Sequence, residues 1–215
     1  CALRDTGIRM DQNRMSSAMT GNMRVFTNRK PRRVETAAFH ILLDASPSMD
    51  IGGRIDRAVE ATIAISLAVE KVRGVNLSVT RFPVYGTKNG VEYYEDVEPI
   101  MVNGQRLASC ISNFDIDTQG STPMANALWY AAYQLSQQKE DRKIVLIVTD
   151  GDPDDEGRVR QFLQVAKQTG VEVMAIGIQA NYVLSLFENA AVITDLSQLS
   201  NSILEIVSRA VLRSA

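Results

Sequence analysis

An α/β protein, built on a doubly wound, mainly parallel sheet with helices on both faces, is the class this sequence predicts. Three observations carry that prediction. Short apolar runs alternate with segments of helical periodicity from residue 37 onward. Several of the runs are apolar throughout, as strands covered on both faces are, and do not alternate with polar residues. Two of them also end on an aspartate, Asp44 and Asp150, followed each time by small or polar residues.

Taken in order, Ala38-Phe39-His40-Ile41-Leu42-Leu43 reads as the first buried strand, closed by Asp44. A helix over residues 55–73 follows, with Ile55, Val59, Thr62, Ile63, Ser66 and Val69 on one face and Gly74 as its stop. Residues 76–82 form a second strand, and residues 91–102 form strand segments around a turn. Met124, Ala127, Leu128, Ala131 and Leu135 then recur at helical spacing behind Thr122-Pro123. Proline suits the first helical position, which makes Thr122 the N-cap. Residues 143–149 are a second apolar strand, closed by Asp150. A helix over 158–168 uses Val159, Phe162, Leu163 and Ala166 and stops at Gly170. A strand over 171–178, a short helix over 182–189 and a strand over 191–194 come next. A final helix over 196–212 buries Leu199, Ile203, Ile206, Val207 and Ala210.

At 215 residues the chain has room for one domain behind a lead segment. Charge marks the boundary. Residues 1–36 hold eight basic and three acidic side chains, leaving 15 basic against 22 acidic in residues 37–215. A basic lead segment (1–36) thus precedes an acidic domain (37–215), and the cluster Arg29-Lys30-Pro31-Arg32-Arg33 between them reads as a solvated linker. The total of −2 argues against a nucleic-acid-coating protein or a polybasic membrane binder. No apolar run is long enough for a membrane span, and no apolar signal core opens the chain. Two cysteines, Cys1 and Cys110, make no disulfide framework, so the expected compartment is the cytoplasm. The chain does not open on Met, as a piece cut from a longer polypeptide would not.

The single histidine limits the chemistry. A zinc site of several His and Cys ligands cannot be assembled, and any Ser-His-Asp or Cys-His chemistry would have to use His40. His40 stands four residues before Asp44, roughly 13 Å along a strand, so it is read as a packed residue. Cys110 is read as a small packed residue as well. Trp129 and Tyr133, four apart on one helix face, are expected to pack under the long loop. No phosphate-cradling Gly-x-x-x-x-Gly-Lys-Ser/Thr or Gly-x-Gly-x-x-Gly run is present, so ATP, if used, belongs to a partner.

Ligands of open α/β sheets bind at the carboxyl ends of the strands. Three loops are predicted there: Asp44-Ala45-Ser46-Pro47-Ser48, Gly120-Ser121-Thr122-Pro123 and Thr149-Asp150-Gly151-Asp152. They bring Asp44, Ser46, Ser48, Thr122 and Asp150 to one edge. Such a set suits Mg²⁺, which takes about six hard oxygens and keeps some of its water. Two carboxylates balance its charge, three neutral hydroxyls leave it electrophilic, and a water position can accept a carboxylate from another protein. Asp150-x-Asp152-x-Asp154 opens like a calcium EF-hand loop but has Asp155 at the sixth position and Gln161 at the twelfth. Asp152, Asp154, Asp155 and Glu156 are therefore read as a solvated loop facing the positive end of the next helix. An aspartate-nucleophile phosphatase would need a second Asp where Ser46 stands.

Asp44-x-Ser46-x-Ser48, a distant Thr122 and a later Asp150 resemble the metal-ion-dependent adhesion site (MIDAS) of von Willebrand factor A (vWA) domains, in matching order over residues 38–212. Pro47 stands where that motif usually has Gly. The resemblance implies a Rossmann-like vWA fold in which Ser46, Ser48 and Thr122 ligate the ion directly and Asp44 and Asp150 act mostly through waters. It also implies Mg²⁺, with Mn²⁺ or Ca²⁺ as alternatives. Val34-Glu-Thr-Ala-Ala-Phe-His-Ile-Leu-Leu-Asp44, Val171-Glu-Val-Met-Ala-Ile-Gly-Ile178 and Ala191-Val-Ile-Thr-Asp195 are similar to the C-terminal domain of the cobaltochelatase CobT subunit. That likeness implies a non-catalytic module working beside an AAA+ ATPase of the MoxR/CobS type on a target offering an acidic side chain. Cobalt insertion in cobalamin synthesis is the implied pathway, and nitric oxide reductase activation is the related alternative.

Overall fold

The structure, a computed structural model, describes residues 36–88 and 91–195 together with three two-residue strands nearer the amino terminus. The chain falls into two units, Cys1–Val34 and Glu35–Ala215. In the first, β1 (Leu3–Arg4), β3 (Phe26–Thr27) and β2 (Arg9–Met10) form a small antiparallel sheet with β3 in the middle. The cluster at 29–33 and the helix expected over 196–212 lie outside the described residues.

The second unit opens with β4 (Ala37–Asp44), every residue of which is buried. A 3₁₀ segment (Pro47–Gly53) leads into helix α1 (Arg54–Val69), and β5 (Val75–Phe82) returns beside β4. A two-stranded hairpin of β6 (Val84–Lys88) and β7 (Val91–Glu95) precedes β8 (Glu98–Met101). After two 3₁₀ turns come α2 (Met124–Ser136), β9 (Arg142–Thr149), α3 (Glu156–Thr169) and β10 (Val171–Ile178). A single helical turn, α4 (Val183–Leu186), and β11 (Ala190–Ile193) complete the described chain.

The main sheet has the order β11-β10-β9-β4-β5-β8, parallel except for the antiparallel edge strand β8. Side-chain alternation along β4 splits the core in two. Phe39, Ile41 and Leu43 face α1 with Ile55, Ala58, Ala61 and Ile65. Ala38 and Leu42 face the other way, toward α2 and α3, with Leu128, Leu135, Val159 and Phe162. Both faces are covered, which is why β4 and β9 tolerate no polar alternation.

The order places the topological switch at the centre. From β4 the chain crosses to β5 on one side, and it later returns to β9 on the other side of β4. The loop after β4 therefore runs to α1 on one face, and the loop after β9 runs to α3 on the opposite face. Between these diverging loops a crevice opens where ligands of such sheets sit.

Several boundaries differ from the sequence expectation for local reasons. Helix α1 stops at Val69, with residues 70–73 in turns before Gly74. Helix α3 starts two residues early because the Asp155 side chain caps the backbone N–H of Arg158 at 3.0 Å. The 182–189 helix shortens to one turn. The strands over 91–102 belong to two different sheets, and β6 had no apolar run to announce it. Trp129 and Tyr133 do not pack under a loop: the buried face of α2 is Met124, Ala127, Leu128, Ala131 and Leu135, which leaves both on its outer side. Trp129 instead meets Phe162 of α3 edge-on, with centroids 5.1 Å apart. His40 is buried between two hydroxyls, and Cys110 is buried with its thiol toward the Arg106 and Leu107 carbonyls. Among the described residues no helix is long and apolar enough to cross a membrane.

Candidate metal centre

Asp44 is the last residue of β4 and is fully buried. Its Oδ1 accepts the Ser46 backbone N–H at 2.8 Å, which closes a tight turn and folds the chain back over the strand end. Its Oδ2 accepts the hydroxyl of Thr149, the equally buried last residue of β9. Burial pushes the Asp44 carboxyl up to about 6. The hydrogen bonds from Thr149 and Ser46 oppose that shift, and the negative Asp150 adds to it.

From this turn the hydroxyls form a chain. Ser46 Oγ lies 3.1 Å from Ser48 Oγ, and Ser48 Oγ donates to Asp150 Oδ1 at 2.6 Å. Since Ser48 has one hydroxyl proton and spends it on Asp150, Ser46 must donate the bond between the serines. The Asp150 side chain is closed off from solvent, and its Oδ2 receives Arg54 Nη1 at 2.5 Å.

Thr122 arrives from the opposite wall. It is not the N-cap of α2. Pro123 takes that position with a ψ of 52°, and no side chain caps the helix. The Thr122 backbone N–H is bound instead by Asp154 Oδ1 at 2.9 Å, while the Asp154 N–H donates to the Thr122 carbonyl at 3.0 Å. Asp154 is thus a clamp between two loops, while, like Asp152, Asp155 and Glu156, it stays exposed as the solvated-loop reading expects. Among the described residues the Thr122 hydroxyl makes no hydrogen bond. A Cβ placed on Gly151 would stand 3.6 Å from Ser48 Oγ and 3.7 Å from Thr122 Oγ1, so both hydroxyls border the open face of that glycine.

The five residues singled out from the sequence therefore gather at the carboxyl ends of β4 and β9. Residues 40–203 match the sequence profile of the von Willebrand factor type A domain, more than half of the chain. The chain belongs to the vWA family. Solved structures agree on the fold. A minor pilin, PilB from Streptococcus sanguinis, superposes with a TM-score of 0.69 at 14% identity, covering 87% of this chain and 64% of that one. The pilus adhesin SpaC from Lactobacillus rhamnosus GG gives 0.67 at 15%, covering 86% and 32%. Proximal thread matrix protein 1 from the mussel byssus, with a zinc-occupied MIDAS motif, gives 0.63 at 15%, covering 83% and 46%. This vWA chain spans less than two thirds of each of these neighbours. No curated protein matches it.

The donor set fits a hard divalent cation. Ser46 accepts no hydrogen bond, Ser48 accepts one and Thr122 none among the described residues, so each hydroxyl keeps a lone pair for a ligand. Two buried carboxylates supply the charge. Among the described residues no three His, Cys, Asp or Glu side chains form a metal-holding group, so a nitrogen- or sulfur-rich site has no place here.

Sequence reasoning missed four supporting residues. Thr149 anchors Asp44, and Tyr182 reaches the Thr149 hydroxyl at 3.5 Å, its phenol pushed up by burial. Tyr182 gets there because Gly177 lets the Ala180–Val183 turn close on β10; a Cβ on Gly177 would come 2.3 Å from the Ala180 carbonyl. Arg54 and Gln179 join through Arg54 Nη2 to Gln179 Oε1 at 2.6 Å. Only Thr149 carried a signal, its place directly before Asp150; the others depend on contacts more than 30 residues away along the chain.

Proposed function

We propose that this vWA domain is a metal-dependent protein-interaction module whose ion, Mg²⁺ in the first instance, is held by Asp44, Ser46, Ser48, Thr122 and Asp150. The observation that carries the reading is the convergence of three hydroxyls with usable lone pairs and two buried carboxylates at the β4/β9 switch point. Ser46, Ser48 and Thr122 bind the ion directly, and Asp44 and Asp150 balance its charge mostly through waters. The bound ion supplies a Lewis-acidic position for a carboxylate of a partner. The chain's own part is to hold the hydroxyls in place: Asp44 through the Ser46 N–H, Asp154 through the Thr122 loop.

The partner we propose is an AAA+ ATPase of the MoxR/CobS type, acting on a target that offers an acidic side chain in the cytoplasm. Support comes from the likeness of three segments to the CobT C-terminal domain. Cobalt chelation for cobalamin synthesis is the proposed setting, with activation of another metalloenzyme, of the nitric oxide reductase type, as its alternative. The module is not catalytic alone: Ser46 stands where a phosphatase needs a second carboxylic acid, and turnover of an aryl phosphate abolished by Asp44→Asn would overturn this. In the proposed mode, calorimetric titration shows Mg²⁺ and Mn²⁺ binding that Ser46→Ala with Ser48→Ala reduces at least about a hundredfold. Capture of the ATPase from a cell extract is lost in EDTA. Divalent-ion binding that survives the double substitution would sink the site.

A second reading, a structural module whose centre stays empty, draws support from Arg54, which gives Asp150 a positive partner without any metal. The same titration of the wild-type chain separates the two.

A further inference from the structure

We propose that Arg54 is a built-in third charge of the metal centre: it compensates Asp150 in the ion-free state and leaves the loaded centre net positive, selecting a carboxylate as the incoming ligand. The inference rests on the reading of the five residues above as a divalent-ion site.

The Arg54–Asp150 pair is not a surface ion pair. Its separation is 2.5 Å, the Asp150 side chain has no solvent exposure and that of Arg54 has 18%. Water and salt therefore screen it weakly. Arg54 is held from three sides, by Asp150 Oδ2, by the Ser48 carbonyl at 3.3 Å and by Gln179 Oε1 at 2.6 Å. Two consecutive glycines, Gly52 and Gly53, with φ of 68° and 69°, turn the chain out of the 3₁₀ segment and deliver Arg54 as the first residue of α1. Gln179 is itself in the left-handed region at φ 57°, the one non-glycine so placed among the described residues. Its backbone N–H is tied to Ile193 O at 2.8 Å and its side-chain amide nitrogen to Thr194 O at 3.2 Å. Such backbone strain persists where the surroundings over-determine it, and here it aims an amide oxygen at the guanidinium.

Asp150 keeps a second tie besides Arg54, because Ser48 holds Oδ1 at 2.6 Å. Charge is what Arg54 alone adds. Two buried carboxylates and a divalent ion sum to zero; with Arg54 the loaded centre carries +1. Asp50, Asp152 and Asp154, the other acidic residues of these loops, are exposed and water-screened, although Asp154 also holds the Thr122 N–H. A centre of charge +1 prefers an anionic ligand over water, and it holds its own cation less tightly than a neutral centre would.

The full chain as wild type, Arg54→Gln and Arg54→Lys is titrated with Mg²⁺ by calorimetry. The Mn²⁺-loaded forms are then titrated with acetate while water-proton relaxation is followed. Arg54→Gln is expected to bind Mg²⁺ about tenfold tighter and acetate several-fold more weakly, with Arg54→Lys within about twofold of wild type on both. If Arg54→Gln does not fold by circular dichroism, Arg54→Met carries the comparison. Mg²⁺ binding that is unchanged or weaker without the charge, or acetate binding that is unchanged, overturns the role of Arg54 while leaving the site intact. A chain that binds no Mg²⁺ in any form overturns the site and this inference together.

Discussion

Two buried titratable side chains stand four residues apart on β4, and they have opposite fates. His40, mid-strand, is satisfied: Nδ1 pairs with Ser78 Oγ and Nε2 with Thr80 Oγ1, both at 2.9 Å, and Tyr130 packs edge-on against the ring. Burial lowers its pKa to about 3, so it is a neutral imidazole serving the core. Asp44, at the strand end, has its hydrogen bonds, but burial pushes its carboxyl up to about 6 and a second buried carboxylate beside it adds to the shift. The first is a closed account of donors and acceptors. The second is an excess of negative charge at the mouth of the crevice, which a cation relieves. Position relative to the switch point, more than residue type, separates a satisfied core group from a member of the candidate site.

The contrast can be tested most strongly through His40. An unfolded histidine titrates near 6.5, whereas the folded one resists protonation until about 3. The unfolded state therefore binds more protons in that window, and stability present above pH 6.5 is lost as pH falls toward 3. Integrated over the window the loss reaches at most about 5 kcal/mol. In His40→Gln this acid limb flattens, so the stability gap from wild type, read from urea midpoints at pH 7, 5.5 and 4, narrows as pH falls. A gap independent of pH would refute the neutral buried imidazole.

Asp44 gives the opposite sign. Its folded pKa is raised from 3.8 to about 6, so its contribution is full below pH 3.8 and lost as pH rises through 6. At pH 7.5 the ionised carboxylate costs the metal-free fold on the order of 1–3 kcal/mol. Asp44→Asn is expected to raise the metal-free melting temperature at pH 7.5 by several degrees while abolishing the increment that Mg²⁺ gives wild type. Destabilisation at pH 7.5 would show that Asp44 is held as firmly as His40, with no charge awaiting compensation.

The smallest effect belongs to Gly151. An added methyl meets only ordinary contacts with Ser48 and Thr122, and nothing in its backbone angle demands glycine. Gly151→Ala should leave stability within about 0.5 kcal/mol yet weaken Mg²⁺ several-fold by crowding the hollow the hydroxyls border. Unchanged Mg²⁺ affinity in calorimetry would place the ion elsewhere.

How much of this was legible beforehand follows from what each feature depends on. The apolar runs of β4 and β9 announce buried parallel strands because nothing but burial on both faces explains them. Asp44 and Asp150 stand out because each terminates such a run. Thr122 was found in its loop before a proline, but the capping role read for it there fails: Pro123 takes the cap position, and the Thr122 loop is pinned instead by Asp154, a residue 32 positions away. Trp129 and Tyr133 were misplaced because a shared helix face does not say which face is buried.

From sequence alone, then, this protein's class, the order of its central elements and the oxygen-only character of its candidate site were determined, since all three rest on local patterning and on the scarcity of His and Cys. Tertiary structure decided the rest: which strands are neighbours, that β4 and β9 meet at the switch, and that Arg54, Thr149 and Gln179 close around Asp44 and Asp150. Those contacts join residues far apart in the chain, and their energies come from burial and charge that exist only once the sheet has formed.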